Sequence, residues 1–127
     1  MYGYYFGRKG VKKMSFSVSK EDVRLMFISE LNKANKNNAL FHSTHEGFAV
    51  LYEEYEEMTE QINIVRMAVE QMWGDVRRNQ NKRLVINTNC LQSAVTETIR
   101  EAVQLGAMCE KLLCFLSEDG KKEVGDV

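Results

Sequence analysis

The densest chemistry in this chain is carboxylate. Six acidic side chains lie between His45 and Glu60, among them Glu53, Glu54 and Glu57, and no Lys or Arg occurs from Asn37 to Val65. An apolar residue recurs at every helical return of that run, at Phe48, Leu51, Tyr52, Tyr55, Met58 and Ile62, so the segment reads as one amphipathic helix. Like charges three or four residues apart on a helix repel by a few tenths of a kcal/mol per pair. Something positive should offset them. A divalent cation is the sharp reading, because hard cations take oxygen ligands and share them with phosphates; a solvated acidic face is the plain one.

At 100° per residue, Glu53 and Glu57 stand about 40° apart and Glu54 and Glu57 about 60° apart. Glu54 falls at the border of the apolar stripe, Glu57 further out, and Glu53 nearly opposite. These carboxylates can begin a metal site but cannot complete one while pointing into water. A second helix offers the other half. There Glu101 falls among Ala94, Leu105, Met108 and Leu112, where an acid costs several kcal/mol unless paired, protonated or metal-bound. Glu97 and Gln104, one turn to either side, are further oxygen donors at the edge of that face. Against this stands a Glu101 that extends its head past the rim or pairs with an Arg.

The elements that must position these groups are helical. Proline is absent, and glycine numbers 8 in 127 residues, which favours long uninterrupted helices. Ser19 with Glu21 and Asp22 forms a capping-box-like start. Val23, Met26, Phe27, Leu31 and Ala34 then predict a first helix over about Lys20 to Ala34. In the connector from Asn37 to His42, Leu40 and Phe41 are expected to plug the end of a bundle. Ser43 and Glu46 repeat the start signal for the acidic helix, whose stripe (Phe48, Leu51, Tyr55, Met58, Ile62, Val65, Val69 and Met72) is expected to face the core. Gly74 and Asp75 are its predicted stop, with a break near Gln61 to Asn63 left open.

Arg77, Arg78, Lys82 and Arg83 then form a basic loop, either solvated or available to phosphates. A third helix is expected from about Asn87–Asn89 to Leu116, with Gly106 tolerated if it lets another helix approach. The domain plan is an irregular arm over 1–16, a helical bundle over 17–116 and a flexible tail over 117–127. The fold class is all-α: an antiparallel bundle of about three to four long helices, completed by oligomerisation.

Composition narrows the function classes. Seventeen basic and eighteen acidic residues leave a net charge of -1, which gives no argument for specific nucleic-acid or membrane binding. Three cysteines cannot pair completely, and with neither a secretory leader nor a long apolar run the chain reads as reduced and cytoplasmic, its thiols inert. The arm interleaves aromatic and basic residues, which suits either nucleic-acid contact or an unstructured terminus. His42 and His45 have a zinc-compatible spacing without further ligands, and read as helix-start residues. Tyr52, Tyr55 and Trp73 read as core or oligomer contacts rather than base-stacking platforms.

The Glu53-Glu54-x-x-Glu57 segment resembles the E-E-x-x-E helix motif of the MazG-like all-α nucleoside triphosphate pyrophosphohydrolases. The preceding His45-Glu46-Gly47-Phe48-Ala49-Val50 is similar to the lead-in of that family's phage and bacterial branch. The resemblance covers roughly Glu30 to Phe115. A second family motif, E-x-x-D, is best matched by Glu101-Ala102-Val103-Gln104, with Gln at the aspartate position. The resemblance implies Mg²⁺-dependent cleavage (Mn²⁺ being a possible substitute) of a nucleoside triphosphate to monophosphate and pyrophosphate. It assigns Glu53, Glu54, Glu57 and Glu101 to the metal, with Glu54 and Glu57 catalytic, and Lys82, Arg83 and Gln104 to substrate contact. It implies a dimer or tetramer whose assembly covers the acidic face. Gln104 departs from the pattern: an amide brings no charge, so metal affinity and activity should fall, and a non-catalytic nucleotide- or protein-binding bundle is the alternative.

Overall fold

Each of the first two helices begins on a serine whose side chain closes the first turn. In the computed structural model, which describes residues 17–34 and 40–125 and side chains through residue 117, Ser19 Oγ accepts from the Asp22 backbone N–H at 3.0 Å while Asp22 Oδ2 accepts from Ser19 N–H at 3.0 Å. This reciprocal capping box opens α1, Lys20–Ala34, with the predicted bounds. At the second start Ser43 Oγ accepts from Glu46 N–H at 3.1 Å. The Glu46 carboxylate, however, reaches past Ser43 to accept from His42 N–H at 3.0 Å.

Helix α2, Thr44–Arg77, runs unbroken for 34 residues. No break interrupts Gln61 to Asn63, and Gly74 does not end it. The stop is Asn79, in the left-handed region at φ 54°, where an asparagine is tolerated far better than most residues. Gln80 N–H donates to Asp75 O at 2.8 Å and Asn79 N–H to Val76 O at 3.2 Å, the paired bonds that satisfy the last carbonyls of a helix. Gly74 instead makes room for a side chain, since a Cβ there would lie 2.8 Å from Arg78 Nη1.

Helix α3, Asn81–Gly125, starts earlier than predicted. The Asn87–Asn89 segment resembled a cap, but the Asn87 amide is used by Asp75, to which it donates at 2.5 Å. Lys82 and Arg83 consequently sit in the first turn of α3 and not in a loop. At its other end the α3 backbone continues helical to Gly125, through most of the segment read as a tail. The arm over 1–16 lies outside the described residues, as do 35–39.

Three helices and no strand make up the described residues, so the fold is all-α. α3 is the shared wall against which α1 and α2 both pack. α2 and α3 are antiparallel: the site of Gly47 lies beside Leu112, and at the opposite end Asp75 meets Arg83 and Asn87. No described helix is long and apolar enough to cross a membrane.

What is buried is mostly small. The buried apolar residues are Phe41, Ala68, Ala94 and Ala107, joined by Gly47 and Gly74. Phe41 does plug one end, beneath the Lys111 ammonium at 4.7 Å from its ring, whereas Leu40 is exposed. The predicted stripe of α2 is not wholly the face that meets α3. Phe48, Tyr55, Ile62 and Val69 remain substantially exposed, because the side turned to α3 is centred on Gly47, Glu54 and Ala68. Val95, Ile99, Leu113 and Leu116 of α3 are exposed too, and so is Cys109.

Gly106 has the packing role that its place in a long helix suggested. A Cβ on it would fall 2.3–2.5 Å from the Phe27 ring. Gly106→Ala should therefore destabilise the fold. The overpacking of about 1–3 kcal/mol outweighs or cancels the roughly 1 kcal/mol gained in helix propensity. Urea denaturation should show a lower midpoint, partly restored by Phe27→Leu in the same chain, since the two positions are coupled.

Candidate metal centre

The packing of α2 on α3 brings three carboxylates together. One ligand oxygen each from Glu54, Glu57 and Glu101 lies within 4.8 Å of the others. All three side chains are half-buried. Glu54 and Glu57 come from successive turns of α2, and Glu101 faces them from α3, the position that its place in an apolar stripe had marked. Glu53 is exposed and outside the cluster. Glu97 is outside it as well, bound to Arg100 Nη1 at 3.0 Å.

Gln104 completes the group. With its amide oriented so that donors meet acceptors, its nitrogen donates to Glu54 Oε2 at 3.0 Å and to Glu101 Oε2 at 3.3 Å. The carboxamide thus bridges the two helices. An amide can present either its NH₂ or its oxygen. Turned the first way it bonds the carboxylates to one another; turned the second way it adds a fourth oxygen.

Electrostatics follow from the crowding. The Glu54 carboxyl is pushed above its ordinary value, first by burial and then by the negative charges of Glu57, Glu101, Glu53 and Glu30. Glu101 is raised by burial, by a side-chain hydrogen bond with Glu57 and by the charge of Glu57, with Arg100 opposing. Among the described residues no other group of three such ligands converges. Mg²⁺ places its oxygens at about 2.0–2.1 Å, so oxygens on opposite sides of one ion stand about 4 Å apart. Three ligands of one octahedral ion include at least two adjacent pairs, whose oxygens stand about 2.9 Å apart at that bond length, so oxygens spread to as much as 4.8 Å would have to close inward to hold one.

Beside the carboxylates runs a cleft between α1 and α3 of about 680 Å³, into which Gln104 also faces. Leu25, Met26, Ile99 and Val103 give it apolar walls, and its charged lining is Lys33 and Arg100 with Asp22 and Glu30, Arg100 being held by Glu97. Neither cation was picked out from sequence, because nothing in the spacing told that α1 would lie against this part of α3. Lys82 and Arg83, which were, stand roughly 27 Å or more along α3 from Glu101 at 1.5 Å per residue. Arg83 there pairs with the buried Asp75 at 3.4 Å. The histidines do not converge on a shared ligand set: His42 Nδ1 lies 3.1 Å from Glu46 Oε2, and both His42 and His45 are exposed.

A raised carboxyl pKa means that the folded chain holds its proton more tightly than the unfolded one. Stability from Glu54 and Glu101 is therefore present below the ordinary value of 4.5 and lost as pH rises through the raised folded values. The capping carboxylates act oppositely: Asp22 and Glu46 are lowered by their hydrogen bonds to Ser19 and His42, and their contribution is lost as pH falls below the ordinary range. A Glu54→Gln variant isolates the first effect. Without added cation it should melt at a higher temperature than the parent at pH 7, and the difference should vanish as pH falls to 4. Millimolar Mg²⁺ or Mn²⁺ should raise the parent's melting temperature at pH 7 and leave the variant's nearly unchanged. No protein-family model, characterised protein or solved structure matches this chain.

Proposed function

We propose that this protein is a MazG-like, Mg²⁺-dependent nucleoside triphosphate pyrophosphohydrolase of reduced catalytic power, with Mn²⁺ as a possible substitute. The observation that carries the reading is the convergence of Glu54, Glu57 and Glu101 from two antiparallel helices beside a cleft of nucleotide size. In the reaction a water oxygen joins the α-phosphorus, the α–β bridging oxygen leaves with pyrophosphate, and the monophosphate remains. A divalent cation held there supplies positive charge to the phosphate oxygens and acidifies bound water.

The chain's own residues have distinct parts. Glu54, Glu57 and Glu101 hold the cation, and Gln104 offers its amide oxygen when rotated away from the carboxylates. Leu25, Met26, Ile99 and Val103 give a base or sugar an apolar seat, and Lys33 and Arg100 stand near enough to the same cleft to attract phosphate. Glu53 faces solvent and takes no part in a single chain, and Lys82 and Arg83 are too far along α3 to clamp the same substrate. The reading includes a cytoplasmic location and a homo-oligomer.

One observation favours a second reading, in which the bundle binds a nucleotide or protein without turnover. The Gln104 amide nitrogen satisfies two of the carboxylates that a cation would otherwise hold. Incubating the protein with a panel of nucleoside and deoxynucleoside triphosphates and Mg²⁺ or Mn²⁺ separates the two. Pyrophosphate release that Glu101→Gln abolishes, and that Gln104→Asp raises about tenfold or more, supports the enzyme. Cation binding by calorimetry with no release from either the parent or Gln104→Asp supports the binding module.

A further inference from the structure

Within the apolar stripe of α2, five residues recur at intervals of seven: Phe48, Tyr55, Ile62, Val69 and Val76. All are large apolar or aromatic, and each is between 45% and 63% exposed. A straight helix drifts by about 20° per heptad against such a column, so a strict seven-residue repeat over the full length of α2 is the pattern of a seam that supercoils with another helix. The described helices leave it exposed. Leu51, Met58, Val65 and Met72, four residues before the last four members of the column, are all half-buried and lie towards α3.

We infer that this column is the seam along which α2 of a second copy of the chain packs, antiparallel, about a two-fold axis near Ile62. Size complementarity favours that direction: Phe48 lies near the partner's Val76 and Tyr55 near the partner's Val69, so each large side chain faces a small one. Charge favours it as well. The N-terminal half of α2 carries six carboxylates and no cation, whereas in its other half Arg66 and Arg77 balance Glu70 and Asp75. A parallel pair would bring the two strongly acidic halves side by side; the antiparallel pair sets each beside a half with no net charge.

The area is that of a stable contact. Together with the exposed rings of Tyr52 and Trp73, stacked on Phe48 and Arg77 respectively, the column presents on the order of 700 Å² per copy at roughly 150–250 Å² per full aromatic side chain. A standard interface buries about 800 Å² on each partner. The inference goes beyond a homo-oligomer of unspecified arrangement, and it is independent of nucleotide hydrolysis. It also reverses one expectation of the family resemblance. Glu53 and Glu60 lie about 160–180° around α2 from Ile62 at 100° per residue, so this assembly leaves the acidic face in water and does not cover it.

Sedimentation equilibrium of the full chain at tens of micromolar should give twice its 14.7 kDa mass. Ile62→Glu should return it to the single-chain mass with its far-ultraviolet helical signal kept. Orientation is read from spin-label distances in a chain with Cys90, Cys109 and Cys114 replaced by serine. Labels at Ile62→Cys should lie within about 20 Å of each other, and labels at Phe48→Cys about 40 Å apart, as 1.5 Å per residue requires of an antiparallel pair. A single-chain mass for the parent overturns the inference, whether the seam is then bare or covered by residues 1–16 of the same chain. Labels within about 20 Å at Phe48→Cys, or well beyond 20 Å at Ile62→Cys, overturn it too.

Discussion

The structure depends on how near α2 comes to α3. The buried positions of the two helices include Gly47, Ala68, Ala94 and Ala107, which have little or no side chain, and small residues at facing positions let helix axes approach closely. Two consequences follow from this one constraint. Acids on facing turns are forced together, since Glu54, Glu57 and Glu101 have no room to spread within the interface. Larger apolar side chains divide: Leu51, Met58, Val65 and Met72 are half-buried towards α3, while Phe48, Tyr55, Ile62, Val69 and Val76 are left outside. A fold with a bulkier α2–α3 interface would have neither the carboxylate cluster nor the exposed column.

Crowded carboxylates are a source of instability that needs an answer within the site. Three negative oxygens within 4.8 Å can be relieved by a retained proton, by a donor or by a cation. The protein has the first two in hand: raised affinity for protons at Glu54 and Glu101, and the Gln104 amide bridging both. A cation would have to displace that proton and turn that amide. Gln104 therefore acts on both states. It lowers the free energy of the cation-free state while lowering the charge available to the cation-bound one, and both effects weaken binding in the same direction.

Much of this was legible in the sequence, for reasons that differ from element to element. The bounds of α1 followed from Ser19 and the first polar run after Ala34, which are local signals. Glu101 was marked because an acid in an apolar stripe needs a partner, and that argument survives ignorance of what the partner is. The turn at Asn79 was obscured by Gly74 and by the Asn87–Asn89 segment, each of which carries a termination or start signal that the fold spends elsewhere, on Arg78 and Asp75. The direction of the α2 stripe was misjudged for a more general cause. Periodicity tells which side of a helix is apolar, but not whether its own chain or another covers it. Lys33 and Arg100 had no local signal; only the docking of α1 on α3 brings them to the cleft.

The acidic run of α2 can now be divided by the faces it serves. Glu54 and Glu57 turn towards α3 and belong to the carboxylate cluster, whereas Glu53, Glu56 and Glu60 are exposed on the side away from the column of Phe48, Tyr55 and Ile62. One helix thus has an inner edge rich in small residues, an apolar flank and an acidic outer face. The outer acids are best understood through what they prevent. A helix with an uncovered apolar flank would associate in more rotations about its axis if its remaining surface were neutral, and a row of carboxylates disfavours those that would bury the acidic face. The density of charge that looks at first like excess ligand therefore divides between the cluster and the outer face, and only the first bears on the proposed cation.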